Sequence, residues 1–239
     1  MLEVNALSAW YGEAQALRNI SLRAAPGEIV TLVGRNGAGK TTALRCLMGL
    51  HRHLEGTVRL GGRDLGPLGP ARRARAGLGY VPDDRGIYAT LTVQEHLLLP
   101  PKAKDSAWDL DRVYRAFPAL QARRRQPASK LSGGEQQMLS IARVLRMGAR
   151  VLLLDEPTEG LAPILVQQIA GILRDAKAEG RTVLLIEQNL HFATAVADRH
   201  YLLVRARSWR RSATMRSRPA KASSRSISGS RTRTRKRKE

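Results

Sequence analysis

The chain has 239 residues, is 43% hydrophobic but only 4% aromatic, and carries a formal net charge of +21. That length suits one large α/β domain with an aliphatic core, and no run approaches the ~18 consecutive apolar residues that a membrane span needs. The opening MLEVNALSAW lacks a basic segment followed by an apolar stretch, which argues against a secretory signal; a single cysteine, Cys46, excludes an internal disulfide framework.

Taken in chain order, residues 1–33 read as short strands: Leu2–Leu7, Leu17–Ala24 and the apolar run Glu28–Val33, with Pro26-Gly27 turning between the last two. A glycine-rich stretch, Gly34–Thr41, precedes a helix over Thr42–Leu50, where Cys46 reads as a small buried residue. Strands follow at Thr57–Leu60 and Leu78–Pro82. Helical patterns then dominate residues 90–148, at Val93–Leu99, at Asp109–Phe117 and from about Ser132. Beyond them come a strand at Val151–Leu154, an amphipathic helix at Pro163–Lys177, a strand at Thr182–Ile186 and a helix at Leu190–Ala197. Fully apolar strands alternating with helices imply a mostly parallel, buried sheet. The helical block interrupts that alternation and reads as an inserted subdomain.

Gly34-Arg35-Asn36-Gly37-Ala38-Gly39-Lys40-Thr41 fits GxxxxGK[ST], between an apolar strand and a helix, which is the context that motif requires. Glycines let backbone N–H groups turn inward around phosphate oxygens, and the helix N-terminus adds positive potential. Lys40 is placed to neutralise β- and γ-phosphates, and the Thr41 hydroxyl to bind magnesium. Val151–Leu154 ends in Asp155-Glu156, at the strand edge where ligands of parallel sheets gather. Asp155 is the candidate magnesium ligand, and Glu156 the candidate base or polariser of an attacking water. Leu131-Ser132-Gly133-Gly134-Glu135-Gln136-Gln137 is a further anion site by composition, a hydroxyl and glycine amides opening a helix.

GRNGAGKTT, LSGGEQQ and VLLLDEP together resemble the ABC ATPase family over residues 1 to about 204. The resemblance implies a RecA-like P-loop NTPase core of the α/β class. It adds a small antiparallel β subdomain and a helical subdomain at about 84–148. It also implies a head-to-tail dimer that holds ATP and Mg2+ between one phosphate loop and the partner's Ser132, Gly133, Gly134 and Glu135. Within the loop, Gly34, Asn36, Gly37, Ala38, Gly39, Lys40, Thr41 and Thr42 carry the expected nucleotide contacts. Tyr11 occupies the family's adenine-stacking aromatic position, with Trp10 as the competing choice. Three departures stand out: Asp83 where the family has glutamine, Gln188 where it has histidine, and Ala162 where it has aspartate. Asp83 is expected at the metal or the water, and Gln188 at the γ-phosphate as a neutral donor. His191 is expected inside the following helix, and no metal role is expected for His51 and His53.

These departures, with LSGGEQQML and LIEQN, look like an ATPase subunit of a branched-chain amino acid importer or of a related amide importer. The implied partners are membrane permeases, a sister ATPase or a second copy and, indirectly, an extracytoplasmic binding protein. The implied location is the cytoplasmic face of the inner membrane. An exporter ATPase, for instance of lipopolysaccharide type, is the first alternative; a soluble ABC ATPase acting on nucleic acid or ribosomes is the second.

The charge is lopsided. From Arg205 onward there are 14 Lys and Arg against Glu239 alone, while the first 204 residues hold 27 basic and 19 acidic side chains. Residues 205–239 read as a basic, disordered tail. A shifted reading frame, a basic arm for anionic lipid or RNA, and a solvated extension all remain open readings of it.

Overall fold

The computed structural model describes residues 1–103, residues 106–204 and the strand at 208–211. Two sheets organise it. The first is antiparallel, in the order β2-β1-β4-β5, from β1 (Leu2–Tyr11), β2 (Ala14–Ala24), β4 (Leu54–Leu60) and β5 (Arg63–Asp64). The second has the order β10-β9-β3-β8-β7-β6, from β3 (Ile29–Gly34), β6 (Leu78–Val81), β7 (Val151–Asp155), β8 (Thr182–Ile186), β9 (Arg199–Val204) and β10 (Ser208–Arg211). Its strands pair in parallel except for β10, which runs antiparallel to β9.

Residue alternation decides how the layers meet. Side chains of a strand point to opposite faces in turn, and β7 and β8 are buried on both. Leu152, Leu154, Val183 and Leu185 join a core shared with the helical block. Val151, Leu153, Leu184 and Ile186 join a second core with the antiparallel sheet and α1 (Lys40–Met48). One sheet therefore organises both cores, which is why its strands read as unbroken apolar runs.

The remaining helices are α2 (Pro70–Arg75), α3 (Val93–Leu98), α4 (Leu110–Ala116), α5 (Pro118–Ala122), α6 (Gly133–Met147), α7 (Pro163–Ala178) and α8 (Leu190–Val196). α3 and α6 each begin with a capping box, Thr92 with Glu95 and Ser132 with Glu135. α6 ends at Gly148 and α1 at Gly49, both left-handed, as a helix stop requires. Cys46 is fully buried in α1, which pushes its thiol up to about 12.

Several boundaries differ from the expectations. β1 and β2 extend to a hairpin at Gly12, and α1 begins at Lys40 rather than Thr42. α2 and β9 had no clear periodic signal: α2 is a six-residue helix rich in arginine, and β9 opens with Arg199 and His200 before four consecutive apolar residues, of which only Tyr201 and Leu203 are buried. Most of the expected tail lies outside the described residues. Within it, the backbone of Ser208–Arg211 pairs with Tyr201–Val204.

Candidate functional site

A cleft of about 510 Å3 opens where β3 turns into α1, and Tyr11, Gly37, Lys40, Thr41, Asp83 and Gln188 are among its lining. Its floor is the glycine loop. Gly39 caps α1 at φ +94°, and a Cβ there would lie 2.6 Å from both Ala16 O and Leu17 Cδ2. Gly37 also has a positive φ, +74°, but faces open space. No side chain caps α1, so its first N–H groups remain directed at the cleft. Asn36 and Thr42 line the cleft, whereas Ala38 is buried and does not. A Cβ on Gly34 would sit 2.7 Å from Leu203 O, so that glycine lets β9 approach.

Lys40 is only 5% exposed, and its Nζ donates to Gly34 O at 3.1 Å and Arg35 O at 3.4 Å. It also lies 3.6 Å from Glu156 Oε1. This ammonium is thus turned back on its own loop and on the carboxylate that follows β7.

Asp155 is completely buried. Thr41 Oγ1 donates to its Oδ1 at 3.2 Å and Tyr80 OH to its Oδ2 at 3.4 Å. Burial, opposed by the Thr41 hydrogen bond and reinforced by the charges of Asp83 and Glu156, raises its carboxyl to about 6. Glu156 follows at φ +47°, a backbone conformation that costs a non-glycine residue about 1–3 kcal/mol and is found where function needs a side chain aimed. Gln188 Nε2 donates to Glu156 Oε2 at 2.7 Å.

The cleft is electrostatically lopsided. Asp83, Glu156 and Glu159 line it, with Asp155 behind, against one lysine. Its inner donor set is oxygen only, Thr41 hydroxyl and Asp155 carboxylate. A polyphosphate would settle among these carboxylates only with a hard divalent cation, for which such oxygens are suited.

Glu159 had no assigned role in the sequence. A hydrogen bond and repulsion from Glu156 raise its carboxyl at the cleft rim. It lies three residues after Glu156, in the turn that follows β7. Tyr80 and Glu187 were also missed. Glu187 is buried, accepts from Thr158 Oγ1 at 2.7 Å and from Asn189 N at 3.3 Å, and ties the loops after β7 and β8 together. Burial raises its carboxyl. Nothing local in the sequence marks that link, because its partners are far apart in the chain.

Tyr11 is 49% exposed at the cleft, with His51 beside it at 4.6 Å between ring centroids. Trp10 points instead to His53, at 5.6 Å, and does not line the cleft. Asp83 lines it, its Oδ1 accepting from Asp84 N. His191 lies in α8. Ala162 caps α7 without any side-chain hydrogen bond, a direct consequence of the missing aspartate.

Ser132, Gly133, Gly134 and Glu135 are not in this cleft. They open α6, where Ser132 Oγ accepts from Glu135 N at 3.3 Å and Glu135 Oε2 accepts from Ser132 N at 2.9 Å. Burial raises the Glu135 carboxyl, but the Ser132 hydrogen bonds and Arg123, 2.8 Å away, outweigh it and hold it low. Gly134 is a packing glycine: a Cβ would fall 2.2 Å from Leu165 Cδ1. Ser132 is exposed and faces no part of its own phosphate loop.

Comparison with known proteins matches this arrangement. Residues 17–159 fit the sequence profile of the ABC transporter family. The chain is 42% identical to the high-affinity branched-chain amino acid transport ATP-binding protein BraG of Pseudomonas aeruginosa, over 87% of this chain and 90% of that one. It is 35% identical to the lipopolysaccharide export system ATP-binding protein LptB of Acidithiobacillus ferridurans, over 85% and 86%. A solved ATP-binding subunit of an ABC transporter superposes with a TM-score of 0.80 at 28% identity, covering 90% of both chains. The chain belongs to the ABC transporter family, as an ATP-binding, ATP-hydrolysing subunit.

Proposed function

We propose that this ATPase drives an importer, with branched-chain amino acids or related amides as cargo, by closing on a second ATPase subunit when ATP binds. The observation that carries the reading is the separation of two anion sites. The phosphate loop, Asp155 and Glu156 share one cleft, while the Ser132 end of α6 lies exposed outside it. An exposed hydroxyl at a helix N-terminus suits a phosphate held by another subunit, either a copy of this chain or a sister ATPase. The importer reading, over an exporter, rests on the higher identity to BraG than to LptB.

In this reading Lys40 leaves Gly34 O, Arg35 O and Glu156 to neutralise the β- and γ-phosphates, and the α1 N–H groups bind their oxygens. Thr41 and Asp155 would hold Mg2+, with Asp83 nearby; the ion supplies charge neutralisation across the phosphates. Glu156, freed from Lys40, accepts the proton of the attacking water or orients that water. Gln188 holds the second oxygen of Glu156 and donates toward the γ-phosphate without adding charge. Tyr11 stacks on adenine. Among the described residues no helix is long and apolar enough to cross a membrane, so attachment to the membrane would run through permease subunits. The segment Arg85–Tyr88 is the proposed contact.

Affinity capture of a Glu156→Gln chain from membranes with ATP, read by mass spectrometry, tests this. Hydrophobic permeases and an ATPase partner are expected to co-purify, and the permeases would reveal the cargo. Recovery of soluble or nucleic-acid-bound proteins alone would reject the transport reading.

A further inference from the structure

A cavity of about 870 Å3, larger than the cleft, lies at the opposite edge of the parallel sheet. Val151 and Thr182, the first residues of β7 and β8, line it, whereas the cleft sits at the last residues of those strands. Its wall draws on all three parts of the fold: the β4–β5 turn, the core and the segment leading into α4. Arg63, Arg75, Arg112, Arg150 and Arg181 line it, against one carboxylate, Glu179.

The arginines are of two kinds. Glu179 pairs with Arg112, lies 3.3 Å from Arg181 Nε and accepts from Trp108 Nε1 at 2.9 Å. Arg112 also stacks on Trp108, 4.4 Å from guanidinium to ring centroid, and Arg181 Nη1 donates to Ala149 O at 2.5 Å. These two guanidiniums are thus fixed in place. Arg150 is anchored by one donor, to Ala76 O at 2.9 Å, and its remaining donors have no hydrogen-bond partner among the described residues. The side chains of Arg63 and Arg75 have no hydrogen bond or ion pair among the described residues.

Five guanidiniums converging on one recess repel one another, and a single fixed carboxylate cannot neutralise them. An anion with several oxygens in each plane can, because guanidinium presents paired donors that match phosphate. We infer that this cavity is a second ligand site, for a soluble anion carrying two or more phosphate groups. A recess of this volume has the size of small-molecule sites. Glu179, fixed by three donors, sets the pose of Arg112 and Arg181; Arg63 and Arg75 close on the ligand from the rim.

The test uses inorganic triphosphate and a full-length Lys40→Ala chain, which removes the phosphate-loop contact, at 150 mM salt on the order of physiological ionic strength. Titration calorimetry is expected to find one triphosphate per chain. Adding Arg63→Glu and Arg75→Glu should weaken binding by about tenfold or more for each guanidinium lost. The same pair in a Lys40 chain should leave ATP hydrolysis intact, which confirms folding and separates this site from the catalytic cleft. A control chain with Arg125→Glu and Arg174→Glu, both exposed elsewhere, should bind as tightly as its parent. Absence of triphosphate binding to the Lys40→Ala chain would overturn the inference, as would equal weakening in the control chain.

Discussion

Each oxygen of Glu156 has its own partner: Gln188 Nε2 at 2.7 Å from Oε2 and Lys40 Nζ at 3.6 Å from Oε1. The lysine is the partner that a nucleotide would claim, so the glutamine is the one left to orient the carboxylate. Replacing Gln188 by Ala is expected to lower kcat for ATP hydrolysis about tenfold, the value of one hydrogen bond to a charged group, with KM little changed. Steady-state kinetics separate the two. A rise in KM with kcat intact would place Gln188 in ATP binding instead.

Asp155 makes stability depend on pH. Its carboxyl lies at about 6 in the folded chain against an ordinary 3.8. Between those values the folded state keeps a proton that the unfolded state has lost, so stability falls as pH rises through this window and levels off above it. The difference corresponds to about 3 kcal/mol. Asp155→Asn should therefore melt higher than the parent at pH 7, with the gap closing toward pH 4. Glu187 shifts in the same direction, which is why the parent-minus-variant difference is the quantity to measure.

Gly39 and Gly37 both have positive φ, but only Gly39 is crowded, by Ala16 O and Leu17 Cδ2. Gly39→Ala is expected to cost about 1–3 kcal/mol and to abolish binding of a fluorescent nucleotide. Gly37→Ala adds strain without a clash and should lower the melting temperature less. Equal losses at the two positions would show that contact with β2 is not what demands the glycine.

Ser132 caps α6 within its own chain and is the proposed phosphate contact for the partner. Ser132→Ala should cost about 1 kcal/mol of stability through the lost cap, a drop of about 2–4 °C in a chain of this size. Ser132→Asp keeps a capping oxygen but sets a negative charge where the partner's γ-phosphate would lie. It should melt near the parent yet fail to form the ATP-bound dimer in a Glu156→Gln background, as read by size-exclusion chromatography. Dimer formation by that variant would remove Ser132 from the interface.

Much of the fold was legible because it is locally encoded. β7 and β8 are continuous apolar runs because both faces are covered, and their ends were predicted to within a residue. The helix start near Ser132 is a property of a few neighbouring residues, whereas the helix expected to reach Leu50 stops at Met48, where Gly49 turns left-handed. By contrast, α2 and β9 are held by what packs on them: Arg73 of α2 donates to Cys46 O and Leu47 O, and β9 pairs with β3. Neither contact leaves a periodic trace in its own segment.

The same division runs through the site. The order of residues alone determined a phosphate loop after a buried strand, two acids at the end of another, and a glycine-rich helix start, since each is a short motif whose chemistry follows from backbone turn and charge. Only the tertiary structure decided that Thr41 and Tyr80 meet on Asp155, that Gln188 reaches Glu156, that Glu159 joins it, and that Tyr11 rather than Trp10 faces the cleft. It also decided that five arginines from distant segments share one cavity. Apart from Glu159 with Glu156, these relationships join residues far apart in the chain, and their distances are set by how two cores clamp one sheet, which no local pattern carries.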